Sequence, residues 1–293
     1  MFLKDIPNIP EKIPKMKYKE PISLWFTENI HRMKKYNINL FILDIRPWPI
    51  IFSLSLLFLF INLASFFYFK LNIFLIFNIF LILLIIICWW KDVIIESTFK
   101  GFHNNYIIII LIYGIILFIV SEIFFFVRFF WTYFHFIFSP DIFLGRNWPY
   151  FGIISVNFIN LPLLNSILLI RRGCTVTFRH YKILRNNLNY SKFSLFISFL
   201  LGTFFLICQL FEYITSLFRF RDGCFGSIFF IATGFHGIHV LIGSIFLLII
   251  FFRINKNHFS YFHLIGFEFS IWYWHFVDIV WLYLYMIIYW LGR

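Results

Sequence analysis

The chain has 293 residues, 61% of them hydrophobic, with a mean hydropathy of +0.86 and a formal net charge of +12. A soluble domain carries about 45–50% apolar residues and has no interior for a load of this size. The composition therefore excludes a water-soluble fold and points to a membrane protein with several spans.

Residues 1–46 stand apart. This stretch is basic and carries Pro7, Pro10, Pro14 and Pro21, with short helical pieces expected around Ser23–Tyr36. It lacks the apolar core of a secretory signal. Its acidic residues Asp5, Glu11, Glu20, Glu28 and Asp44 are foreign to a mitochondrial presequence, so it reads as a retained arm on the matrix or cytoplasmic side.

Seven apolar spans follow, at Trp48–Phe69, Leu71–Trp90, Tyr106–Phe138, Gly152–Ile170, Phe193–Phe218, Gly226–Phe252 and Phe267–Leu291. The first two form a tight hairpin, broken only around Lys70 and Asn72. The third is long enough to tilt strongly or to project beyond the bilayer. With seven spans, 19 of the 25 Lys and Arg fall on the side of the N-terminus, five on the other, and Arg128 inside span three. That bias puts the N-terminus on the matrix or cytoplasmic side and the C-terminus opposite. The positive charge reads as topology and lipid contact, without a nucleic-acid partner.

Charged groups at membrane depth are costly and mark candidate sites. Glu122 lies in ILFIVSEIFFFVRFFW, with Arg128 six positions on, too far for an i, i+4 pair. It reads either as a proton-handling or lipid-facing carboxyl or as a neutral acid hydrogen-bonded to a neighbouring helix. His236 and His239 in GFHGIHVLIG share one helix face. With His275 they have the spacing of a metal site, but no carboxylate–histidine constellation accompanies them, and Gly234, Gly237 and Gly243 favour close helix packing. His275 and Asp278 are three apart and read as a structural clamp. The loop WWKDVIIESTFKGFHNNY combines Trp90, Glu96 and His103 with lysines, a mixture suited to lipid headgroups or to an ordinary interfacial loop. Cys88, Cys174, Cys208 and Cys224 are scattered and read as packing residues. No phosphate loop, nucleophile elbow or zinc motif appears, so no self-contained catalytic centre is expected.

Taken in order, the segments RPWPI (46–50), WWKDVIIESTFKG (89–101), YGIILFIVSEIFFF (113–126), LPLLNSILL (161–169), DGCFGSIFFIATGFHGIHVLIGS (222–244) and GFEFSIWYWHFVDIVWLYLYMIIYW (266–290) resemble the cytochrome c oxidase subunit III family of the haem–copper oxidases. The resemblance implies an all-α, seven-helix transmembrane domain over residues 47–293, split by a V-shaped lipid cleft between helices one to two and three to seven. It implies a non-catalytic subunit of respiratory complex IV without haem or copper of its own. Haem a and copper would sit in partner subunits I and II, with accessory subunits completing the complex. Structural phospholipids would be held near Trp90, Glu96, His103 and Arg253. Glu122 matches the family's intramembrane carboxylate. His236, His239, His275 and Asp278 match motif positions with structural roles. The implied setting is the mitochondrial inner membrane, with the chain organelle-encoded and open to supercomplex contacts. Ile95, Phe102 and Arg128 depart from the family pattern, and the long arm offers a contact for a lineage-specific subunit. Two other readings stay open: subunit III of a quinol oxidase, and an independent proton or solute transporter built on Glu122.

Overall fold

The computed structural model describes residues 46–70, 73–101, 103, 105–140, 142, 145–184, 188–256, 258–259 and 264–292, with side chains 105 and 179–189 left aside. The arm up to residue 45, the helical pieces expected at Ser23–Tyr36, and Phe102 lie outside the described residues. All regular structure among the described residues is helical: α1 Trp48–Phe69, α2 Ile73–Thr98, α3 Asn105–Phe138, α4 Leu161–Leu184, α5 Leu188–Thr215, α6 Gly223–Asn255 and α7 Ile265–Leu284, which continues into a π-helical turn at Tyr285–Trp290. All but α4 are long and apolar enough to cross a membrane. In hydrocarbon the backbone must bond to itself, and a helix does this within one segment.

The chain divides into two compact units, residues 1–104 and 105–293. The division falls between the second and third helices. In the first unit, Pro47 and Pro49 start α1 at positions where a missing N–H costs nothing. Lys70 ends it in a left-handed conformation (φ 54°), its N–H donating to the Phe66 carbonyl. The hairpin is joined by Asn78 Nδ2, which donates to the Ser55 carbonyl at 3.1 Å.

The second unit packs α3 to α7 around an aromatic core that includes Phe126, Tyr133, Phe205, Phe225, Phe229, Trp274 and Trp281. Trp274 Nε1 donates to the Gly243 carbonyl at 3.1 Å, and Trp281 Nε1 to Ser166 Oγ at 3.0 Å. A Cβ on Gly243 would lie 2.6 Å from the Trp274 ring, so only glycine lets the indole approach α6.

The fourth span differs from the sequence expectation. Residues 152–160 are irregular, and α4 starts at Leu161 and runs on to Leu184, well past Ile170. Pro162 sits in the first turn, where proline is tolerated, and the Leu164 N–H to Asn160 carbonyl bond begins the ladder. Hydropathy had set the window too early because ISVNFIN is apolar without being helical. It had also ended the span at the arginines, although a helix can carry them inward if they find partners.

Candidate functional site

Glu122 projects from the middle of α3, and the structure gives it a partner that the sequence did not name. His239 Nε2 lies 2.9 Å from Glu122 Oε2. On its other side, His239 Nδ1 donates to the Phe235 carbonyl at 2.6 Å, which fixes the ring and its tautomer. A bond between Nε2 and Oε2 then requires one proton between them. Either a neutral acid donates to imidazole or an imidazolium donates to carboxylate. The pair holds a proton in an apolar span without leaving a bare charge. Phe126 lies edge-on to the imidazole at 5.1 Å and Phe276 at 6.1 Å, which narrows the approach of solvent.

His236, one turn away on α6, is turned to a different task. Its Nε2 meets the Val277 carbonyl at 3.3 Å, and its ring packs on Phe205 and Trp281 at 5.5 and 5.1 Å. Among the described residues no group of three or more His, Cys, Asp and Glu side chains is arranged to hold a metal ion. His275 lies partly exposed on α7.

Asp278 belongs to a cluster that the sequence reading missed. A Cβ on Gly173 of α4 would lie 3.6 Å from its Oδ2, and the charge it feels is that of Arg172. Arg172 is 0% exposed. Its guanidinium lies over the Trp274 ring at 3.0 Å, and Nη2 donates to Ser244 Oγ at 3.4 Å. The notch that receives it is Gly202, whose Cβ would come within 2.5 Å of Nη2. The expectation counted Arg172 among loop charges. The structure instead places it inside the bundle, joining α4, α5, α6 and α7. The signal was present: Asn165, Ser166, Leu169, Arg172 and Val176 recur at helical spacing and are all buried.

The candidate lipid residues divide between the two units. In the first, Arg46 donates to the buried Glu96 carboxylate, and Trp48 Nε1 donates to Asp92 at 2.7 Å. Trp90 is exposed on α2, two positions before Asp92, and His103 is partly exposed after the helix. In the second unit, Arg253 ends α6 with its guanidinium 4.4 Å from the Phe259 ring centroid. A Cβ on Gly266 would lie 3.1 Å from its Nη1. Burial, Arg253 and Lys256 all hold nearby His258 below its ordinary range, burial most strongly. Arg128 is exposed on the outer face of α3.

Residues 38–293 match the family described as cytochrome c oxidase subunit III. Three relatives of that description are cytochrome c oxidase subunit 3 of Rhipicephalus sanguineus, of Drosophila melanogaster and of Felis catus. The first is 49% identical over 83% of this chain and 95% of the relative. The second is 46% identical over 86% and 96%. The third is 45% identical over 84% and 94%. With near-full coverage at this identity, the chain belongs to the cytochrome c oxidase subunit III family.

Proposed function

We propose that this chain serves its oxidase as a subunit without a redox centre of its own. It docks on subunit I in the mitochondrial inner membrane, with its N-terminus in the matrix. It holds phospholipids and assists proton uptake by the core that passes electrons from cytochrome c to oxygen. Haem a and copper reside in the partner subunits.

The Glu122–His239 pair carries this reading. It is a protonatable pair in an apolar span, held by a ring whose other nitrogen is already committed. It can retain a proton at that depth. The lipid role is supported by the cation of Arg253 at the end of α6 and by the exposed Trp90 on α2. The docking role is supported by the outward apolar faces of the helices; the apolar windows of α1 and α3 are each only 6% buried. The orientation is supported by the basic bias of 18 residues against five once buried Arg172 is set aside from the 19.

The test is a mild-detergent native gel of the source membranes, with the chain's band characterised by protein identification and by its reduced-minus-oxidised spectrum. Co-migration with haem a and a copper-bearing subunit is expected. A band with other haem types and no copper-bearing subunit, or with none, defeats the reading. Within that band, a hydrophobic carbodiimide should label Glu122 and should label it less in His239→Phe.

A further inference from the structure

A second buried acid lies far from the Glu122 pair in sequence and takes no part in it. Glu212 occupies the last turn of α5 and is 1% exposed. Neither of its carboxyl oxygens meets a direct hydrogen-bonding partner among the described residues. Gln209, three positions earlier on the same face, has both amide atoms in the same condition, and so has the Tyr289 hydroxyl. Tyr289 nevertheless lies against the Glu212 carboxyl, and Gln209 against Tyr289, near enough to act on one another although none of these atoms meets hydrogen-bond geometry.

Around Glu212 the unmade bonds fall on these three side chains. Beside them, Tyr213 donates to Thr233 Oγ1 at 2.8 Å, and Thr233 donates to the Phe229 carbonyl at 2.6 Å, so that branch is complete. Tyr289 lies in the π-helical turn Tyr285–Trp290, and such turns are frequent at functional sites. Phe229 and Trp281 close over it at 5.5 and 5.8 Å.

Polar atoms sealed in this way are satisfied by ordered water, which needs two to four polar partners and can both donate and accept. The amide offers both functions, the phenol both, and a protonated carboxyl one donor with its acceptor oxygen. No cation among the described residues is paired with Glu212, so an ionised carboxylate would stand bare in an apolar span. We propose that Glu212, Gln209 and Tyr289 enclose a binding site for ordered water, with Glu212 as its proton-bearing member. The site is a proton store separate from the Glu122 pair.

Infrared spectroscopy of the assembled oxidase tests this. Glu212→Gln should remove one band from the protonated-carboxyl region. That band should shift in D2O, because water reaches the group. A water O–H band sensitive to heavy-oxygen water should disappear with it. Tyr289→Phe, which removes only a hydroxyl, should move the Glu212 band without abolishing it. The proposal is overturned if Glu212→Gln leaves the protonated-carboxyl region intact, or if the band ignores D2O. Should Glu212→Gln fail to assemble, Tyr289→Phe decides: a moved band supports the site and an unmoved one overturns it.

Discussion

The α1–α2 hairpin and the five-helix unit are built from similar apolar helices, yet different chemistry holds each together. The described residues of the hairpin bury only Ser55, Asn78, Ile85 and Glu96. Its joints are polar: the Asn78 and Asn62 amides to the Ser55 and Phe74 carbonyls, and an ion pair and an indole–carboxylate bond at one end. The larger unit buries Trp, Phe and Tyr in numbers, opens notches at Gly202 and Gly243, and seats a whole guanidinium among them. Lipid is as apolar as leucine, so apolar contact alone gives helices little reason to prefer each other. The hairpin answers with a few polar joints and leaves its sides free for lipid or other subunits. The bundle answers with shape, and uses polarity where shape alone would leave a charge unpaired.

The sharpest way to break this contrast is Arg172→Ala. It removes the Trp274 stack, the Ser244 bond and the charge facing Asp278. With Arg172 gone, buried Asp278 loses the positive charge that acts on it, and leaving a buried charge uncompensated costs about 3–5 kcal/mol. The chain should leave the complex at a clearly lower temperature in a thermal-release assay, and Asp278→Asn in the same background should restore much of the loss. A release temperature equal to the parent's would mean that the bundle's polarity is idle. Gly243→Ala comes next. Its added methyl would meet the Trp274 ring at 2.6 Å, and overpacking of this kind costs about 1–3 kcal/mol. The same assay should show a smaller drop, and quenching at Trp274 should change with it.

What the sequence made legible follows the same division. Hydropathy alone places α1 at Trp48–Phe69, the bounds observed, because a lipid-facing helix has nothing but its apolar run to define it. Family motifs pointed to Glu122, His236, His239 and Asp278, and all of them lie on the helices of the second unit. The partners were not legible. Glu122 and His239 are 117 positions apart and meet only through the packing of α3 on α6. Arg172 was misread because charge counting assigns every arginine after an apolar run to a loop. The helical spacing of Asn165, Ser166, Leu169, Arg172 and Val176 would have carried it inward. Glu212 was missed for a similar reason, although Gly202, Phe205, Gln209 and Glu212 form one buried stripe on α5.

The hairpin should be more forgiving. Asn78→Leu deletes its joint to the Ser55 carbonyl. Polar contacts between membrane helices average about 0.6 kcal/mol, with about 1.7 at most. Hydrogen exchange should therefore quicken slightly along α1 and α2 and stay unchanged in α7. A loss as large as that from Arg172→Ala would show that the hairpin's few polar joints carry most of its cohesion.

The smallest effect is a pH dependence at the end of α6. His258 has an ordinary value of 6.5, and burial, then Arg253 and Lys256, lower it in the folded chain. Its backbone N–H also donates to the Arg253 carbonyl at 3.1 Å, which ties the residue to the last turn. Above pH 6.5 the imidazole is neutral both folded and locally opened, so the segment's stability is flat there. Below it the opened form takes up the proton first. Stability should then fall with acidification until the folded value is passed. Amides around residues 253–258 should exchange faster at mildly acid pH once the intrinsic pH dependence is removed, and His258→Gln should abolish the excess. The Asn78–Ser55 joint has no titrating group and should show no such slope. An acid-sensitive hairpin beside an indifferent α6 end would invert the comparison and move the proton-responsive chemistry to Asp92 and Glu96.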